Sequence, residues 1–311
     1  MEQQPTRSAT QALLGAEGAV QIFEYRCALE KGAPVQPEQF SRPAISVVTS
    51  GVFGFRSDRD DQLLAAGSVL LGNPGQQYEI SHEHMGGDRC LIFRFEQAAL
   101  DEVASHYGRA DGNRCFARSV LPTLPRIDAI RHLVERRLSE GGPAIGLEEL
   151  GLTLAACALE QTAVSPRRAP LAAQSSRRAR ESIYAALAHL ERSATEELRL
   201  TDLARLAGLS PFHFLRLFKR ETGITPYQYL IMARIRRAVE LLRDTRSPVT
   251  QIAFDVGFGD LSNFINTFRR EIGCSPSRFR KAQPADWAAS VRARALAAGS
   301  PPQKRSRART Q

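Results

Sequence analysis

Residues 203–280 of this 311-residue chain contain two related copies of one segment. The first copy reads LARLAGLSPFHFLRLFKRETGITPYQYL from Leu203, and the second reads IAFDVGFGDLSNFINTFRREIGCSPSRFR from Ile252. The copies share Ala204/Ala253 and Gly208/Gly257 at an offset of 49 residues, then Phe214/Phe264, Phe218/Phe268, Glu221/Glu271, Gly223/Gly273 and Pro226/Pro276 at an offset of 50. The repeat predicts two copies of one helical unit, with one extra residue in the turn of the second.

Each copy has the sequence signals of a helix-turn-helix. In the first copy, Thr201 is expected to cap a short helix, and Gly208 allows the left-handed conformation of a tight turn. Ser210 then caps a second helix, which begins at Pro211 and ends at Gly223. The second copy uses Gly257, Asp260, Gly273, Ser275 and Pro276 in the same roles. We therefore predict two helix-turn-helix units.

The second helix of each predicted unit has an apolar core face and an outer face. The outer faces carry Phe212, Leu215, Arg216 and Lys219 in the first copy, and Leu261, Ser262, Ile265, Asn266 and Arg269 in the second. A helix in the major groove of DNA presents such a face to base edges and phosphates. Arg216 suits guanine and Asn266 suits adenine, whereas Phe212, Leu215 and Leu261 suit thymine methyl groups.

The segment between the two units predicts one amphipathic helix over residues 226–243. Its length of roughly 27 Å would place the two outer faces about one DNA turn (~34 Å) apart. Charge agrees with a polyanionic partner, because residues 165–311 hold 27 basic and 12 acidic side chains, whereas residues 1–164 hold 15 and 21.

The first half predicts strands followed by helices. Short apolar or alternating runs occur at 23–29, 44–49, 52–56, 62–66, 68–71, 78–82 and 90–95. This spacing predicts a β-sandwich or barrel, with a closed or jelly-roll barrel preferred over a generic antiparallel sheet. Helical periodicity follows at 98–107, 127–138 and 147–164. The last of these is apolar around much of its circumference, so it packs either in the core or against a second subunit.

Residues 177–283 resemble the DNA-binding domain of the AraC/XylS family of transcription regulators. The resemblance rests on the S-x-x-x-φ-x-R-x-F-K run at 210–219, the P-x-x-Y-φ-x-x-x-R-φ-x-x-A run at 226–238, and G-F-x-D-x-S-x-F followed by F-R-R-x-x-G-x-S-P within 257–276. It implies that Phe212, Leu215, Arg216, Leu261, Ser262 and Asn266 read bases. Leu215 stands where a polar reader is frequent, and Asn266 stands where arginine is common.

The resemblance also implies an N-terminal cupin-like barrel that senses a small molecule and forms a homodimer, with RNA polymerase as a further partner. Residues 67–78 resemble a cupin motif, with Tyr78 where metal-binding cupins place histidine. The expected fold class is α+β. It comprises a cupin-like β-barrel followed by helices (1–164), a linker (165–176), an all-α domain with two helix-turn-helix units joined by a long helix (177–283), and a basic disordered tail (284–311).

A second candidate site lies in the first half. His82 and His84 are two residues apart on a predicted strand, so both face one side, and Cys90 follows on the next strand. With Cys90 they could bind zinc or iron, they could contact a polar effector together with Tyr78, or they could form a solvated hairpin. We expect no metal and no cofactor.

The sequence contains no G-x-S-x-G, P-loop or H-E-x-x-H motif, so we expect no enzyme. It has no apolar run of membrane-spanning length and no signal-peptide core, which predicts a cytoplasmic protein without a membrane partner. The preferred interpretation is a sequence-specific regulator that binds double-stranded promoter DNA. The alternatives are a metal-dependent cupin enzyme with secondary DNA binding and a general nucleic-acid compaction protein.

Overall fold

The computed structural model describes residues 9–28, 35–58, 60–82, 87–108, 115–139, 146–164 and 177–299. Its first half contains a six-stranded sheet of order β1-β2-β9-β4-β7-β10 and a four-stranded sheet of order β3-β8-β5-β6. The strands are β1 (Ala9–Glu17), β2 (Val20–Cys27), β3 (Pro37–Gln39), β4 (Ala44–Ser50), β5 (Val52–Ser57), β6 (Asp61–Ala65), β7 (Val69–Gly72), β8 (Gln77–Ser81), β9 (Asp88–Phe95) and β10 (Val120–Leu121).

The two sheets pack face to face around an apolar core. Phe53, Phe55 and Leu64 of the four-stranded sheet meet Val48 and Leu70 of the six-stranded sheet. Successive side chains of a strand point to opposite faces of the sheet. The face of the six-stranded sheet that points away from the four-stranded sheet is also apolar, and it packs against helices. The described strands therefore form two facing sheets, as in the sandwich alternative, and the preferred cupin-like barrel stays a prediction.

Three helices cover the six-stranded sheet: α1 (Gln97–Ser105), α2 (Pro125–Ser139) and α3 (Leu147–Val164). Nearly every residue of α3 from Leu150 to Leu159 is buried. The hydroxyl of Tyr107 donates a hydrogen bond to the carbonyl of Ala156, at 3.0 Å. The apolar circumference of α3 is therefore covered within one chain, which is the core-packing alternative of the two left open by its sequence.

The second half is helical. Its elements are α4 (Arg177–Arg192), α5 (Leu200–Leu206), α6 (Pro211–Thr222), α7 (Pro226–Asp244), α8 (Val249–Asp255), α9 (Leu261–Ile272), α10 (Pro276–Lys281) and α11 (Pro284–Gly299). Across the described ranges, no helix combines the length and the apolar character needed to cross a membrane. The predicted linker, 165–176, lies outside the described residues.

Helix α11 corrects the expectation of a disordered tail over 284–311. Trp287, Ala288, Val291 and Ala295 lie on one face of α11 and are buried. That face packs along α3, so residues 284–299 are held by apolar burial despite their Ala/Arg-rich composition. The remainder of the predicted tail, 300–311, lies outside the described residues.

The two halves share packed surfaces. Val52, Leu63 and Ala65 of the four-stranded sheet belong to one apolar cluster with residues of α4, α5 and α6. On the other side, α2 packs against α7 and α9. The first helix-turn-helix unit therefore contacts the four-stranded sheet, and the second contacts α2.

Candidate nucleic-acid interface

Local caps position α6, the second helix of the first unit. The hydroxyl of Ser210 accepts a hydrogen bond from the backbone N–H of His213, and Gly223 ends the helix with a φ of 82°. Thr201 is not the cap of α5: the carbonyl of Arg199 already accepts from the N–H groups of Asp202 and Leu203, so α5 begins at Leu200. The prediction for α6 is confirmed, and the prediction for Thr201 is wrong.

The second unit repeats this arrangement with a stronger cap. The Asp260 carboxylate accepts hydrogen bonds from the N–H groups of Ser262 (3.0 Å) and Asn263 (2.8 Å). Gly273 ends α9 with a φ of 91°, in the left-handed region that glycine adopts without strain. A carboxylate at this end of a helix also interacts favourably with the helix dipole.

The outer face of α6 carries its predicted residues into solvent. Phe212 is 75% exposed, Arg216 and Lys219 are exposed, and Leu215 is half-buried. The inner face buries Phe214 and Phe218 completely. An aromatic ring this exposed gains nothing from water, which suits an apolar partner such as a thymine methyl group.

The outer face of α9 is more polar. Ser262, Asn266 and Arg269 are exposed, and Leu261 is half-buried, whereas the inner Phe264 and Phe268 are fully buried. Arg216 of α6 and Asn266 of α9 stand at equivalent repeat positions. The two helices therefore present matched faces that carry different hydrogen-bonding groups.

Basic side chains on the two helices divide into paired and unpaired sets. Arg220 forms an ion pair with Glu221 at 3.0 Å, and its repeat equivalent Arg270 pairs with Glu271 at 2.8 Å. Among the described residues, no ion pair engages Arg216, Lys219 or Arg269. The unpaired cations all lie on the outer faces, where phosphates or bases can pair with them.

Helix α7 joins the units through 19 residues, or roughly 28 Å of helix. All four of its arginines form hydrogen bonds or ion pairs within the protein. Arg234 donates to the carbonyls of Ala194 and Glu196, Arg236 pairs with Glu191, Arg237 pairs with Glu240, and Arg243 donates to the carbonyl of Ala282. These four guanidinium groups are therefore held by partners within the protein rather than left free for phosphates.

Tyr78 and His82, two of the candidate effector residues, border a cavity of about 120 Å³ between the two sheets. The Tyr78 hydroxyl donates to the Glu38 carboxylate at 2.7 Å, and the Tyr78 ring lies 4.4 Å from the ring of Phe40. Burial and the neighbouring Glu38 charge raise the pKa of Tyr78, so the phenol stays neutral and able to donate. Arg94 lines the same cavity.

His82 also lines this cavity, but its partners differ from those considered from sequence. Its Nε2 lies 2.6 Å from Asp88 Oδ2 and 3.5 Å from Cys27 Sγ. Burial alone lowers the pKa of His82, but hydrogen bonds with Asp88 and Cys27 outweigh it and raise the pKa to about 9. His84 lies outside the described residues. Cys27 and Asp88 lie together beside His82 because strand pairing sets Cys27 opposite Asp88.

Comparison with known proteins identifies the helical half. A family described as a helix-turn-helix domain matches residues 203–282. The HTH-type transcriptional activator RhaS of Klebsiella pneumoniae is 39% identical over 99 residues, which cover 32% of this chain and 36% of that protein. Among solved structures, an AraC-type transcriptional regulator from Chromobacterium violaceum is 30% identical, with a TM-score of 0.31, and the match covers 32% of this chain and 90% of that one.

A DNA-binding domain of AdpA solved with a target DNA is likewise 30% identical, with a TM-score of 0.31, covering 36% of this chain and 95% of that one. The family match assigns residues 203–282 to a helix-turn-helix domain. The curated relatives that match this region include HTH-type transcriptional activators. The chain spans between 34% and 44% of the length of the curated relatives it matches.

Proposed function

We propose that the protein is a sequence-specific transcription regulator whose two helix-turn-helix units read adjacent major grooves of one promoter site. The observation that carries this proposal is the pair of exposed outer faces on α6 and α9, at the two ends of α7. Phe212, Leu215, Arg216 and Lys219 contact DNA from α6, and Leu261, Ser262, Asn266 and Arg269 contact it from α9. The protein acts on DNA in the cytoplasm.

The two-sheet half is a cupin-like sensor in this proposal. Its cavity offers the Tyr78 hydroxyl, the His82 ring and the Arg94 guanidinium to a small polar effector. An effector can act only through different affinities for two arrangements of the protein. The contacts of the four-stranded sheet with α6 support a route from that cavity to the first reading helix. Homodimer formation and contact with RNA polymerase belong to the same proposal.

Enrichment from a randomised duplex pool, using the full-length chain, tests DNA recognition. We expect two short motifs about one helical turn (~34 Å) apart, bound at least ~1,000-fold more tightly than random duplex. Affinity for both duplexes should fall as salt rises. Binding that is salt-dependent but enriches no motif would instead indicate a compaction protein.

The alternative function, a metal-dependent enzyme, predicts a different property of the protein. It requires turnover that depends on the side chains at the cavity, whereas the regulator requires DNA recognition by α6 and α9. Replacing His82 by Ala separates the two, because His82 lines the cavity and lies outside α6 and α9. Turnover of a substrate by the wild-type protein that this substitution abolishes would support the enzyme and contradict the regulator.

A further inference from the structure

Cys27, His82 and Asp88 bring three metal-binding side chains together at one end of the sheets. Cys27 is the last residue of β2, Asp88 is the first residue of β9, and His82 directly follows β8. Strands β2 and β9 are neighbours, and their register sets Cys27 opposite Asp88. Because β8 belongs to the other sheet, the group draws donors from both layers of the sandwich.

The separations between the donor atoms suit a zinc ion. The sulfur, the imidazole nitrogen and a carboxylate oxygen all lie within 4.8 Å of one another. Bonds of ~2.3 Å to sulfur and ~2.05 Å to nitrogen at a tetrahedral angle place these two atoms ~3.6 Å apart, and nitrogen and oxygen ~3.4 Å apart. The 3.5 Å between His82 Nε2 and Cys27 Sγ already fits. The Asp88 carboxylate has to withdraw by ~0.8 Å from its 2.6 Å contact.

Burial and charge favour a divalent ion in this position. Cys27, His82 and Asp88 are only 3%, 6% and 4% exposed. Zinc displaces the proton on His82 Nε2 and the thiol proton of Cys27 to the solvent, which leaves a neutral imidazole, a thiolate and a carboxylate, so a divalent cation makes the bound group neutral. A neutral assembly avoids most of the cost of burying isolated charges.

Two features give the carboxylate and the ion room. Gly51, between β4 and β5, has a φ of 88°, and a Cβ at this position would lie 2.3 Å from Asp88 Oδ1. Glycine therefore leaves space beside the carboxylate. The cavity of about 120 Å³ is lined by both His82 and Asp88, which provides an entry path for an ion and a position for a fourth ligand.

We propose that Cys27, His82 and Asp88 bind one zinc ion, with the fourth coordination position open to the cavity. This assignment replaces the combination of His82, His84 and Cys90, and it revises the expectation of a chain without metal. The site lies wholly in the two-sheet half. Its failure would leave the DNA-binding proposal untouched, because metal binding is measured on the free chain.

Titration of the metal-free full-length protein with Co²⁺ tests the site. Cobalt reports a tetrahedral environment through visible absorption and a thiolate ligand through a near-ultraviolet charge-transfer band. We expect one Co²⁺ per chain, the thiolate band, and displacement of Co²⁺ by one equivalent of Zn²⁺. Absence of saturable binding, or binding without the thiolate band, would overturn the proposal.

Variants test the ligand assignment. Cys27→Ser should abolish the thiolate band, and Asp88→Asn should weaken Co²⁺ binding more than roughly 100-fold, beyond the loss typical of residues that only orient a ligand. Cys90→Ser is the matched control, because Cys90 lies two residues beyond Asp88 and lines the same cavity. It should retain the band. If Cys27→Ser does not fold, the Co²⁺ affinity of the nearly isosteric Asp88→Asn variant is compared with that of the wild type. Loss of the thiolate band in Cys90→Ser would contradict the assignment.

Discussion

Arg180, in α4, forms a buried ion pair with Asp61, in β6. The same guanidinium lies 3.5 Å from the carboxylate of Glu221, at the end of α6. One arginine therefore connects the four-stranded sheet to α6. Removing one member of a buried pair leaves the other charge uncompensated, which costs more than the attraction itself.

We expect Arg180→Met to lower the free energy of unfolding by about 3–5 kcal/mol, measured by urea denaturation. Arg205→Ala is the control, because the pair of Arg205 with Asp202 is largely exposed and should contribute at most about 1 kcal/mol. Equal effects of the two substitutions would show that the Arg180 pair contributes no more than a surface pair.

Arg216→Ala should weaken binding to the enriched duplex by about 1–3 kcal/mol and relax the preference at one base pair. Lys219→Ala, one helical turn further along the same face, should weaken binding to specific and random duplexes alike. It should also reduce the slope of the logarithm of the binding constant against the logarithm of the salt concentration by about one. Binding isotherms at several salt concentrations distinguish the two. A uniform loss for Arg216→Ala would assign that side chain to a phosphate.

The thiols of Cys115 and Cys157 should resist alkylation in the folded protein. Burial raises the pKa of each to about 12, and for Cys115 a hydrogen bond to Asp101 adds to the effect. Only the thiolate reacts, and at pH 8 it amounts to about one part in 10,000 for such a pKa. Peptide mass spectrometry after iodoacetamide treatment should find both unmodified, and both modified in urea. Rapid labelling of the native protein would contradict the burial.

Removal of α11 should expose the apolar face of α3. We expect a chain ending at Gln283 to unfold at a lower temperature and to self-associate, because Trp287 and Val291 no longer cover that face. A chain ending at Gly299 keeps the helix and should behave as the full-length protein does. Light scattering and thermal unfolding measure both effects. If the chain ending at Gln283 keeps the particle mass and the thermal unfolding midpoint of the longer chain, α11 does not stabilise α3.

The helix-turn-helix units could be predicted in detail because their signals are local. Ser210, Asp260, Gly223 and Gly273 act within a few residues of their own positions, and the structure places them as the pattern indicates. Thr201 failed for an equally local reason, since the carbonyl of Arg199 begins the helix before it.

The remaining elements depend on contacts between distant segments. Helix α11 has a weak apolar pattern, and it is held by packing along α3 and by the contact of Trp287 with Phe279. The group of Cys27 with Asp88 depends on the register of β2 and β9, which no short motif encodes. The spacing of His82 and His84 indicated nothing about Cys27 or Asp88, which lie far from each other in the sequence. Strand β1 was not predicted, because the residues before it in the sequence are polar.

The first helix-turn-helix unit rests on the four-stranded sheet, and the second rests on α2. Helix α6 therefore packs against the four-stranded sheet, whereas α9 packs against a helix that covers the six-stranded sheet. In the proposed regulator, a ligand that displaces one of these two contacts would change the affinity of one helix-turn-helix unit for its half of the DNA site and leave the other unit bound. The protein would then stay on its promoter while its contact with a single major groove changes.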